Sequence, residues 1–125
     1  MTSPSATQDS YPYQNEPIWS RSEKAIARKA FDAALGQELH EVIQEAKRMA
    51  NEIQQSSDLG DLEHYLTQRR KEIDRKYDFR GSRLTDVLGR LVYENRLAEE
   101  DLRGLPEEKM KSIRSFAQFL RGDAA

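Results

Sequence analysis

Apolar residues recur along the first half of the chain at the spacing of an α-helix. After Trp19, the segment Ser20-Arg21-Ser22-Glu23 has the form of a capping box, which indicates that a helix starts there. Beyond it, apolar side chains follow one another at steps of three and four: Phe31, Leu35, Leu39, Val42, Ala46, Met49 and Ile53. Because no proline interrupts residues 20–55, the pattern predicts a single helix roughly 50 Å long.

A second amphipathic helix is predicted after the short turn Ser56-Ser57-Asp58. Its apolar positions are again three, four or seven residues apart: Leu59, Leu62, Leu66, Ile73 and Tyr77. A turn this short places the two long helices side by side and antiparallel. We expect Ser57 or Asp58 to cap the second helix and Gly81 to end it.

Two shorter helices are predicted beyond Gly81, the first capped by Ser82 and the second opened near Pro106. Each has one apolar face, formed by Leu84, Val87, Leu88, Leu91 and Val92 and then by Met110, Ile113, Phe116, Ala117 and Leu120. The predicted fold is therefore all-α, with a long antiparallel hairpin over residues 18–80 and a small C-terminal helical head over residues 81–121. Residues 1–17 are expected to form a flexible tail and residues 122–125 a frayed end.

The apolar seam of the predicted hairpin is longer than one chain of 125 residues can cover. A partner is therefore required, and a second copy of the chain is the simplest one, so we expect a homodimer. The predicted dimer interface consists of Leu39, Val42, Met49, Ile53, Leu59, Leu62 and Leu66.

Composition supports long helices in contact with solvent, because 34% of the residues are charged and only 37% are hydrophobic. The chain has no cysteine, its two histidines fall on different predicted helices, and it lacks both the HExxH motif and the phosphate-binding glycine motifs. We therefore expect no metal, no cofactor, no small-molecule substrate and no catalytic site. The apolar runs are too short to span a bilayer, which favours a cytoplasmic protein.

Residues 69–83 contain seven cationic and three acidic side chains, with Tyr77 and Phe79 among them. Such a segment could follow a phosphate backbone, but its interleaved carboxylates weaken the case, so nucleic-acid binding is only a minor alternative. Arg69 falls within the apolar seam itself. Either its stem covers apolar surface while its head reaches solvent, or its guanidinium is paired or faces a partner.

Four groups of residues resemble the fluorescence recovery protein family of cyanobacteria over roughly residues 17–120. They are Pro17-Ile18-Trp19-Ser20; Phe31 with Glu38-Leu39; Arg70-x-Glu72-Ile73-Asp74-x-Lys76-Tyr77-Asp78-x-Arg80; and Asp101-Leu102-x-Gly104-Leu105-x-x-x-Lys109. The resemblance implies an all-α homodimer with a helical head at each end. It also implies a non-enzymatic regulator that binds the photoactivated orange carotenoid protein. By speeding the return of that protein to its orange form, such a regulator ends photoprotective quenching at the phycobilisome, in the cytoplasm or at the thylakoid surface.

The resemblance further implies a partner-binding patch around Arg70, which matches an arginine of the family's interface patch. Glu63 and His64 stand where the family has a His-Asp pair, and we expect Tyr65 and Arg69 to belong to the same patch. Leu59 matches a leucine at the family's dimer contact.

Two large aromatic residues of the family are absent from this chain. Gly60 replaces a tryptophan, and Asp86 falls where the head of the family has a phenylalanine. Because a large aromatic anchor carries much of the energy of an interface, the tryptophan missing at Gly60 leads us to expect binding weaker than that of a typical family member. The alternative function is a dimeric helical adaptor of the same fold with a different protein partner.

Overall fold

The computed structural model describes residues 18–122, and every regular element in that range is helical. Helix α1 spans Arg21–Asn51, α2 spans Ser56–Lys76, α3 spans Gly81–Tyr93 and α4 spans Glu107–Arg121, with a short 3-10 helix at Glu99–Leu102 between α3 and α4. The predicted all-α class is therefore confirmed for this part of the chain. The predicted tail at residues 1–17, and residues 123–125 of the predicted frayed end, lie outside the described residues.

Helix α1 begins at the predicted capping box. The Ser20 hydroxyl accepts the Glu23 backbone N–H at 3.1 Å, and the Glu23 carboxylate accepts the Ser20 N–H at 2.9 Å. The helix ends at Asn51, short of the predicted end at residue 55, because the turn to α2 begins there. The predicted turn at residues 56–58 was therefore wrong, since these residues form the first turn of α2. Asp58 lies in this first turn, and its carboxylate accepts the backbone N–H groups of residues 54 and 55 at 2.9 and 3.2 Å, which caps the start of α2.

The end of α2 also differs from the prediction, because α2 stops at Lys76 and Gly81 begins α3 instead of ending α2. Between the two helices, Tyr77 and Phe79 pack edge-to-face against Phe31 of α1, with ring centroids 5.3 and 5.1 Å apart. Because of this aromatic packing, the chain leaves the helical conformation after Lys76. Ser82 is not the cap of α3, whose N-cap is Arg80 without a side-chain cap.

The head packs against the N-terminal half of α1, where small residues allow a close approach. Ala27, Ala30 and Ala34 are buried there beside Phe31. They share one core with the buried apolar residues of the head, which include Leu84, Leu88, Leu91, Leu102 and Ile113. The head therefore covers only the first half of α1, and the second half of α1 lies beyond it with α2 alongside.

Two helical glycines allow a direct test of this packing. A Cβ atom added at Gly89 of α3 would lie 2.8 Å from the Ile113 carbonyl oxygen of α4, whereas one at Gly36 of α1 would meet nothing within 4 Å. Gly36→Ala is therefore expected to raise the free energy of unfolding by about 1 kcal/mol through helix propensity. Gly89→Ala is expected to lower it by about 1–3 kcal/mol, because α3 and α4 must separate. Urea unfolding measures both values, and an equal gain at the two sites would contradict the close contact.

Candidate functional site

A buried carboxylate, Glu38 of α1, lies where the hairpin meets the head. It is only 2% exposed. Four donors surround it: Lys76 Nζ at 2.7 Å, Arg69 Nη2 at 2.8 Å, the Tyr77 hydroxyl at 2.9 Å and Arg96 Nε at 3.3 Å. These donors come from α2, from the residue after it and from the loop after α3, so one side chain of α1 joins the hairpin to the head. We call these five residues the Glu38 network.

The charges of this network are balanced so that it keeps one protonation state. Burial alone would raise the pKa of Glu38, but hydrogen bonds from Lys76, Arg69 and Tyr77 outweigh it and lower the pKa to about 2. Burial, together with the hydrogen bond to Glu38, raises the pKa of Tyr77. Around neutral pH the carboxylate is therefore ionised and the phenol protonated, which suits a structural ion-pair network.

The structure places Arg69 inside this network. Its guanidinium donates to Glu38 and, at 2.6 Å, to Glu72, and its side chain is 22% exposed. Of the interpretations open for Arg69, the geometry therefore favours a paired guanidinium over a stem that reaches solvent. Lys76 and Arg80 are likewise held by carboxylates of the chain, Arg80 by Asp78. These pairs reduce the number of cations in residues 69–83 that could contact a phosphate backbone.

Arg70, by contrast, is exposed and forms no ion pair with any residue between 18 and 122. It lines a groove of about 600 Å³ between α1 and α2. Leu39, Val42, Leu66 and Ile73 also line this groove, which we call the Arg70 groove. The predicted partner-binding arginine and three of the predicted dimer residues therefore lie side by side.

The other predicted partner-binding residues do not all share the face of α2 that carries Arg70. With 3.6 residues per turn, Glu63 falls on the same side of the helix as Arg70, and both Glu63 and His64 are exposed. Tyr65, which is half-buried, falls beside Arg69, and His64 falls on the far side. Within one chain, the five residues therefore do not form one continuous patch.

The predicted dimer residues form an apolar stripe that is uncovered in the single chain. Leu59, Leu39 and Leu66 are 57%, 43% and 41% exposed. Val42, Met49, Ile53 and Leu62 are half-buried. Ile43, which was not among the predicted dimer residues, is 50% exposed and lies one turn beyond Leu39. The sequence indicates Ile43 as well, because it lies four residues after Leu39, at helical spacing.

Much of the Arg70-to-Arg80 motif has a structural role. Ile73 is buried, Lys76 and Tyr77 bind Glu38, and Asp78 accepts the Arg80 backbone N–H at 3.1 Å just before α3. Glu38 itself was missed as a central residue. The available signal was its place four residues after Ala34, on the stripe that buries Ala27, Ala30 and Phe31.

Within residues 18–122, no helix is long and apolar enough to cross a membrane. The same residues contain no group of three or more His, Asp or Glu side chains arranged to hold a metal ion.

Comparisons with known proteins agree over most of the chain. The sequence model of a family described as "photoprotection regulator fluorescence recovery protein" matches residues 19–117. The fluorescence recovery protein of Synechocystis sp. PCC 6803 is 33% identical over 104 residues, which cover 83% of this chain and 95% of that protein. The solved structure of the Fremyella diplosiphon fluorescence recovery protein matches with a TM-score of 0.76 at 33% identity, covering 81% of this chain and 99% of that one. The solved Synechocystis structure matches with a TM-score of 0.77 at 33% identity and the same coverage.

Proposed function

The chain belongs to the fluorescence recovery protein family of photoprotection regulators, and on that premise we propose that it binds the photoactivated orange carotenoid protein and accelerates its return to the orange form. The observation that carries this proposal is that Arg70 is exposed and forms no ion pair within residues 18–122. Other residues of the Arg70-to-Arg80 motif, such as Lys76, instead stabilise the fold. A guanidinium in this state keeps its five N–H donors available for a carboxylate of a partner.

The mechanism is differential binding without covalent chemistry. A regulator that binds the relaxed arrangement of the carotenoid protein, or the path to it, more tightly than the photoactivated form lowers the barrier to relaxation. A tenfold acceleration needs only about 1.4 kcal/mol of preferential stabilisation of the transition state. One arginine and the apolar side chains beside it can supply an energy of this size.

The proposed assembly is a homodimer that covers the apolar stripe of the hairpin. Four apolar residues of this stripe are at least two-fifths exposed in the single chain: Leu39, Ile43, Leu59 and Leu66. Interfaces of this kind bury roughly 2,000 Å² or more and are apolar. Because Arg70 lies at the edge of the same stripe, a dimer leaves its guanidinium at the rim of the interface. The proposed location is the cytoplasm, free or at the thylakoid surface.

The experiment follows the red form of the photoconverted carotenoid protein in the dark by its absorbance. The unmodified protein is expected to speed the decay and to co-elute with the carotenoid protein on a sizing column. Arg70→Ala is expected to weaken the acceleration about tenfold or more while leaving the melting temperature and the dimer unchanged, because its side chain is exposed.

Arg69, the neighbour of Arg70 in sequence, provides the control for Arg70→Ala, because its guanidinium is paired within the fold. Arg69→Ala is expected to lower the melting temperature, because it leaves the buried Glu38 short of a donor. Unchanged decay at a several-fold excess of the unmodified protein, without co-elution, would exclude the carotenoid protein as the partner. The alternative would then be a dimeric helical adaptor with another protein partner.

A further inference from the structure

A second cleft lies on a different side of α2 from the Arg70 groove. It has a volume of about 560 Å³ and is formed by the C-terminal half of α2 together with the head. Arg75 of α2 and Arg83 of α3 line it, together with the apolar side chains of Val87 and Phe116. Arg75 lies five positions after Arg70, which corresponds to a rotation of roughly 140° about the axis of α2. The two surfaces share Arg69, which lines both, but Arg75 faces away from Arg70; we call the second surface the head cleft.

The head cleft carries an excess of positive charge, part of which is neutralised from outside the cleft, because Glu41 pairs with Arg96 at 2.8 Å. Six cationic and four acidic side chains line it, which leaves two positive charges in excess. The inner cations share their carboxylates, since Glu94 alone serves Lys76, Arg90 and Arg96. Arg75 and Arg83 are both exposed. Within residues 18–122, neither of them takes part in an ion pair or a side-chain hydrogen bond.

The inner wall of the head cleft is held in place by the Glu38 network. Lys76 and Arg96 are largely buried and tied to Glu38. Because these groups are fixed, the inner wall keeps its shape on binding, while the exposed side chains of Arg75 and Arg83 are free to adapt to a ligand. Phe116 is itself held close to α3, where its Cβ would lie 2.9 Å from a Cβ added at Gly89.

We propose that the head cleft binds an acidic segment of a protein partner, in which carboxylate side chains flank an apolar one. Arginine guanidinium groups bind carboxylates in a bidentate manner, and the half-buried ring of Phe116 offers apolar contact between the charges, whereas Val87 is only 4% exposed. The volume is in the range that accommodates a few side chains. Glu72 and Asp86 also line the cleft and repel any anion, phosphate or carboxylate, so the acidic side chains of the ligand must face Arg75 and Arg83, which a peptide with separately placed charges can do. The inference rests on the proposed function only in taking the ligand to be part of a protein.

The test uses a fluorescein-labelled peptide, Glu-Glu-Phe-Glu-Glu, titrated with the full chain and followed by fluorescence anisotropy. We expect saturable binding that weakens as salt is added. The double variant Arg75→Ser/Arg83→Ser is expected to weaken peptide binding at least tenfold. Arg103→Ser is the matched control, because Arg103 is exposed on the head and does not line the cleft, and it is expected to change nothing.

A second peptide, Gln-Gln-Phe-Gln-Gln, tests the charge requirement on the unmodified protein and so does not depend on the folding of any variant. It is expected to bind at least tenfold more weakly than the acidic peptide. Absence of saturable binding of the acidic peptide, equal binding of the two peptides, or equal loss in the control variant would each overturn the proposal.

The peptide assay separates this inference from the proposed function. Acidic-peptide binding without any effect on carotenoid-protein recovery would support the head cleft and contradict the proposed function. Accelerated recovery without acidic-peptide binding would support the proposed function and contradict the proposal for the head cleft.

Discussion

Replacing Glu38 by alanine is expected to lower the free energy of unfolding by about 3–5 kcal/mol. The substitution removes the one carboxylate that Arg69, Lys76, Tyr77 and Arg96 have in common. It leaves partly buried cations that can neither reach water freely nor pair fully elsewhere. Urea unfolding followed by circular dichroism gives the loss directly.

Glu41 provides the matched control for Glu38, one turn further along α1. Its carboxylate pairs with Arg96 at 2.8 Å, but its side chain is 51% exposed. Glu41→Ala is therefore expected to cost less than about 1 kcal/mol. A similar loss for the two variants would show that the Glu38 network adds little beyond an ordinary surface ion pair.

The same network makes stability depend on pH in a defined window. The pKa of Glu38 is about 2 in the folded chain, below its ordinary value of 4.5, so folding favours the ionised form. The resulting stabilisation, about 3 kcal/mol, is complete above pH ~4.5 and is lost as the pH falls towards ~2. Glu38→Gln is expected to remove this part of the acid dependence, and an unchanged acid titration would contradict the assignment.

Local sequence pattern predicted the helices but not the turn between α1 and α2, where residues 56–58 form the first turn of α2. The capping box at Ser20 and the apolar periodicity predicted the start of α1 and the existence of all four α-helices of residues 18–122. The local pattern also failed at the end of α2. The apolar periodicity runs on to Tyr77, but the helix stops at Lys76 because Tyr77 and Phe79 pack on Phe31. That contact joins residues far apart in sequence, so no local pattern signals it.

The candidate site shows the same division between local and distant contacts. The exposure of Arg70 agrees with its place at the rim of the helical pattern. The pairing of Arg69 could not be inferred, because its acceptor Glu38 lies 31 residues away on another helix. The position of Glu38 on the buried stripe of α1 marks it off from the solvated carboxylates, but its donors come from α2 and from the loop after α3, which no local pattern identifies.

The proposed homodimer rests on the exposed apolar stripe of the hairpin. Leu59, near the turn between α1 and α2, is the most exposed of the predicted dimer residues. Phe119 on the head is exposed to a similar degree, 62% against 57%, but does not belong to the stripe. The two residues therefore distinguish a specific dimer interface from general surface hydrophobicity.

Leu59→Glu is expected to raise the dissociation constant of the proposed homodimer at least a hundredfold, since it places an unpaired charge in the apolar interface. Phe119→Glu is expected to leave that constant unchanged. Because both side chains are exposed in the single chain, neither substitution is expected to reduce its helix content, which circular dichroism verifies. Sedimentation or light scattering across a concentration series measures the dissociation constant. A monomer mass for the unmodified protein at micromolar concentration, or equal dissociation of both variants, would show that the stripe from Leu39 to Leu66 is not the dimer interface.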